Sequence, residues 1–224
     1  TDGTGGSNPT LNSGTINAKG NVTLAANTAG SGGGSATIIF NGSGTQSLLG
    51  STTFSAARVC SITINKSSSD TLKITNNITA AHNWTYTAGV VSAGSSSVYF
   101  ITTSTITGSH KLHNVTFYGG AARTYTFGSS TVLTVGGTLT FNGTLAITLT
   151  SGKIEPQGDI TVTNTSTSTT GTTAILIDST ANQTWTGSGV AGEGRLPNIT
   201  INKSSGTLTM KSIISVTGGW TYTK

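Results

Sequence analysis

The chain has 224 residues, enough for one sizeable core or two modest ones, and only 8% of them are charged. Ser, Thr, Gly and Asn take the place of the missing charge, while abundant Thr, Ile and Val argue against disorder, which combines high net charge with few β-branched residues. The formal charge of +5 reflects six acids rather than clustered bases, so the pattern argues against nucleic-acid binding, and no run of about 18 apolar residues marks a membrane span.

Along the chain, the predicted elements are short triplets of apolar residue, Thr, apolar residue. They begin at Val22-Thr23-Leu24 and continue through Ile62-Thr63-Ile64, Trp84-Thr85-Tyr86, Val115-Thr116-Phe117, Leu139-Thr140-Phe141 and Ile160-Thr161-Val162 to Ile199-Thr200-Ile201. Alternation with period two places both apolar side chains on one face and Thr on the other, which predicts strands. Gly, Ser and Asn between the triplets supply tight turns. No helix signal interrupts them.

The triplets sit inside a longer repetition. "SGTINAKGNVTLAAN" from Ser13 matches "SGKIEPQGDITVTN" from Ser151, an offset of 151 − 13 = 138. Gln46 matches Gln183 and Ile62 matches Ile199 at 137, and Trp84 matches Trp220 at 136 once Asp70 is skipped as an insertion. A weaker middle copy carries "LHNVTF" from Leu112 and "VGGTLTFNG" from Val135. The expected organisation is one repetitive β domain over 1–224, with approximate modules 13–89, 90–150 and 151–224. Very short strands, few aromatics and nested repeats predict an all-β β-solenoid, a parallel β-helix with about 20–25 residues per coil and a length of roughly 45–50 Å. Tandem β-sandwich modules are the alternative. The abrupt start "TDGTGGSNPT" and the end "GGWTYTK" suggest a mature product or a piece of something longer.

The run "FNGSGTQSLLG … SITINKSS … LKITNNITA … WTYTAG" resembles the Gly/Thr/Asn-rich repeats of large bacterial extracellular β-solenoid proteins of the adhesin and autotransporter-passenger kind. The resemblance implies an extracellular or cell-surface location and a structural or adhesive role as a shaft segment or filament subunit. It implies self-association, head to tail or within a longer repeat chain, with surface glycans as possible partners.

The residues supply no constellation for chemistry. The acids Asp2, Asp70, Glu155, Asp159, Asp178 and Glu193 are few, and the first copy has Asn21 and Asn41 where the second has Asp159 and Asp178. Asp exchanging with Asn is the mark of a turn residue that bonds backbone, so no catalytic residue is expected. His110 and His113 lack acidic neighbours and point to opposite sides of a strand, which predicts solvated or turn histidines, no metal site and no cofactor. Cys60, the single cysteine, reads as packing. Trp84 and Trp220 read as core by their equivalence, while Trp185 is the candidate for stacking on a glycan. Among the Asn-x-Ser/Thr sequons, Asn21, Asn77, Asn83, Asn114, Asn142 and Asn198 are candidate N-glycosylation sites. The last triplet, Trp220-Thr221-Tyr222, is a candidate stacking edge, since a solenoid end exposes unpaired strand edges. Thr-x-Thr pairs raise ice binding as the alternative to a shaft, beside carbohydrate binding, and a polysaccharide-degrading enzyme ranks last.

Overall fold

The computed structural model describes residues 11–24, 34–54 and 58–223. These are all-β, without a helix, and wind through about nine turns of a parallel β-solenoid. Face 1 stacks Thr15–Ala18, Thr37–Phe40, Ser61–Asn65, Trp84–Ala88, Ser104–Thr107, Arg123–Phe127, Ile147–Thr150 and Thr170–Gly171. Face 2 begins with Val22–Thr23, Thr45–Leu49, Thr71–Thr75 and Val90–Ser92. Its ladder then breaks and resumes as His110–Leu112, Val132–Val135, Lys153–Pro156, Ala174–Ile177, Asn198–Ile201 and Trp220–Tyr222. Face 3 carries Arg58–Val59, Asn77–Ala80, Ser97–Phe100, Asn114–Gly119, Leu139–Gly143, Ile160–Asn164, Gln183–Thr186 and Leu208–Lys211. Ten levels on face 2 are nine spacings of about 4.8 Å, a rod about 43 Å long.

Each face follows from the period-two rule. In Thr37–Phe40 the buried residues are Ile38 and Phe40, and in Ser61–Asn65 they are Ile62 and Ile64. Because the strands are parallel and in register, like side chains stack on like. Phe100, Phe117 and Phe141 form such a column, with ring centroids 5.4 and 5.6 Å apart and planes within 20°. Offset-stacked rings at this separation add roughly 1 kcal/mol per pair to the area they bury. Where two coils approach too closely for a side chain, glycine is required. Gly143 has φ +117°, and a Cβ there would meet the backbone carbon of Gly119 at 2.5 Å.

The sequence repeat and the coil do not share a period. The matching stretches Ser61–Asn65, Asn114–Gly119 and Asn198–Ile201 lie on faces 1, 3 and 2 respectively. The triplets at Trp84, Leu139 and Trp220 follow the same order of faces. Each copy is therefore turned by one face around the axis relative to another. The core tolerates this because all three faces present the same inward row of apolar residues to one continuous cluster.

Candidate functional site

The site that stands out is the end of the rod formed by Leu208–Lys211 and Trp220–Tyr222. Among the described residues each of these strands pairs on one side only, with Gln183–Thr186 and Asn198–Ile201 respectively. The Thr223 N–H bonds Ile201 O and the Ile199 N–H bonds Gly219 O, so the alternate peptide groups of Trp220 and Tyr222 face away from the stack. Their side chains are 45% and 70% exposed, and Met210 and Ile213 are exposed beside them. A depression of about 450 Å³ lies among Ile201, Lys203, Leu208, Met210, Trp220 and Tyr222.

Lys203 closes that depression from below. Its Nζ donates to Ser179 O, to Ala181 O at 2.9 Å and to Gln183 Oε1 at 2.8 Å. The Gln183 amide then donates to Pro156 O and Gly158 O of the previous coil at 2.9 and 2.7 Å. The first repeat holds the same relay: Lys66 Nζ to Gly42 O and Gln46 Oε1, and Gln46 Nε2 to Ala18 O and Gly20 O. Desolvation holds both ammonium groups below the usual lysine range, opposed by the charge of Asp70 at Lys66 and of Asp178 at Lys203. The sequence reading passed over both lysines. Their signal was the spacing of 20 from glutamine to lysine in each copy.

Trp185 requires a correction. Its side chain is 0% exposed, so it offers no ring to a glycan. It points inward from Gln183–Thr186 and its ring stacks on Trp220 at 5.7 Å with planes 8° apart. Its counterpart in the first copy, Leu48, is equally buried, and that apolar partner was the available clue. His110 is the second correction. It lies inside the core, stacked on Trp84 and Tyr86, with Nδ1 donating to Gly108 O at 2.8 Å. Burial lowers its pKa to about 4, with the Gly108 bond opposing, and leaves Nε2 without a partner. Cys60 is buried, which raises the thiol pKa.

The sequon asparagines serve as ties between coils. Asn21 Oδ1 accepts the Ser47 N–H, Asn83 Oδ1 that of Thr105, Asn114 Oδ1 that of Thr138 and Asn198 Oδ1 that of Gly219. Asp159 makes the bond of its counterpart Asn21, accepting the Thr184 N–H at 2.7 Å. Asn77, Asn114 and Asn198 also spend Nδ2, on Thr52 O, Ser97 Oγ and Thr172 O. Asn142 is exposed and makes no side-chain hydrogen bond. Asp178 accepts from Gln157 Nε2 at 3.2 Å, and among the described residues no three His, Cys, Asp or Glu side chains gather as metal ligands. Comparison with known proteins returns no matching family, no matching characterised protein and no matching solved structure.

Proposed function

We propose that this chain is a structural, non-catalytic rod segment of an extracellular surface or filament assembly, and that its exposed end receives a further coil of the same type. The observation that carries this reading is the contrast between two equivalent tryptophans. Trp84 has Ile62 in register on one side and Ile106 on the other, and it is 0% exposed. Trp220 has Ile199 in register on one side, no paired strand on the other among the described residues, and is 45% exposed. An incoming strand with an apolar residue at the position of Ile106 would give Trp220 the surroundings of Trp84 and pair the outward peptide groups. Low charge and repetition of one core pattern support the extracellular structural role, since lengthening such a rod needs no new core.

The test is electron microscopy with sedimentation over a concentration series of the purified chain. End-to-end rods in multiples of about 43 Å are expected, and Trp220→Lys with Met210→Lys should return single rods. A wild-type chain that stays monomeric at high concentration overturns the stacking role.

A further inference from the structure

The geometry points to face 1 as an ice-binding surface. The Thr-x-Thr pairs legible in the sequence scatter over all three faces, but on face 1 the register assembles threonines into a two-dimensional net. Thr105, Thr126 and Thr150 stand in one column across successive coils, and Thr124, Thr148 and Thr170 in the next. A third column runs through Thr63, Thr85 and Thr107. The net repeats at about 4.8 Å between coils and about 6.6 Å between alternate residues of a strand. The Thr150 hydroxyl donates to that of Thr126 at 3.0 Å, which holds the rotamers of that pair.

The chemistry of this face differs from that of the other two. Arg123, at the start of its strand, is the only charged residue in the eight strands of face 1. Face 2 carries Lys73, Lys111, Lys153 and Glu155, and face 3 is interrupted by Tyr99 and Tyr118, over which Phe54 packs. A charge orders its own hydration shell and breaks any extended water lattice. A net of methyls and hydroxyls does the opposite: the methyls leave adjacent water bonded to water, and the hydroxyls anchor that layer at fixed spacing. Such a surface suits a ligand that is itself flat, uncharged and periodic in two directions with hydrogen-bonding groups a few ångströms apart. A face of ice is that ligand. This site is on the side of the rod and is independent of stacking at its end.

The experiment measures thermal hysteresis and incorporation into a slowly grown ice hemisphere. The wild-type chain is expected to show both. Thr126→Tyr with Thr148→Tyr, one residue in each of two adjacent columns, should lose both. Thr140→Tyr with Thr161→Tyr, which alters the column Thr116, Thr140, Thr161 and Thr186 of face 3, should keep them; circular dichroism establishes the fold of each. Thr126→Ser with Thr148→Ser, which removes two methyls and little else, serves where the tyrosines do not fold, and the same loss is expected. A wild-type chain that leaves ice growth unchanged, equal losses from the two faces, or full retention in the serine pair overturns the proposal.

Discussion

Two lysines with little access to water need a reason, because long cations are among the residues least often buried unless they are paired. Lys66 and Lys203 are paired with carbonyl oxygens and a glutamine rather than with a carboxylate, and each relay spans three coils. The glutamine is the pivot, since its oxygen receives the lysine and its nitrogen serves two carbonyls below. Gln183→Leu would strip Lys203 of one acceptor and leave Pro156 O and Gly158 O unpaired, at a cost of roughly 3 kcal/mol. Urea unfolding should show that loss, and adding Lys203→Met should recover part of it, because the second change removes the stranded cation. His110 provides the other test at this scale. With a pKa near 4 in the fold and about 6.5 unfolded, its contribution is fully present above pH 6.5 and is lost as pH falls toward 4. The unfolded chain binds the extra proton in that window, so about 3 kcal/mol should disappear across it. His110→Phe keeps a flat ring between Trp84 and Tyr86, and urea midpoints from pH 7 to 4 should lose this component of their slope.

At the scale of the strand, a corner Asn or Asp ties one coil to the next at several levels. Asp159 replaces Asn21 without loss because a carboxylate oxygen accepts the same N–H. Asp159→Asn should therefore leave stability unchanged, while Asp159→Ala should cost about 1 kcal/mol. The same bonds divide the sequons. In a host that attaches N-linked glycans, peptide mapping should find sugar at Asn142, Asn83 and Asn21, where Nδ2 is not committed to a hydrogen bond. It should find none at Asn77, Asn114 and Asn198. The strands themselves were legible, because an apolar-Thr-apolar triplet has one pairing with the core whatever the fold around it. The assignment of strands to faces was not legible, because the 137-residue offset is not a whole number of coils. Trp185 was misread for a related reason: "TWT" inverts the order of the triplet, and composition alone cannot say which member of an alternation points inward. The face 1 net was hidden for the same cause, since its columns join residues more than 20 positions apart.

The whole molecule is a stack of layers joined only to their neighbours, and this makes its length a free variable. Around residues 123–146 the register runs unbroken on all three faces: Arg123 pairs with Ile147, 24 residues on, and Ile147 continues the same face. Removing residues 123–146 would join Ala122 to Ile147 and delete one complete turn, bringing Leu139's neighbours Val115 and Ile160 into contact on face 3. Each face keeps its inward row, so the shortened chain should fold cooperatively and be shorter by about 4.8 Å. Its denaturant slope should fall by roughly a tenth, in proportion to the surface one coil buries. Removing about 12 residues instead would turn everything beyond the cut by half a coil and put turn residues where strands must pair. That chain should be destabilised far more although it has lost less. Small-angle scattering and urea unfolding of the two deletions separate the cases, and equal damage from both would show that the coils are not interchangeable layers.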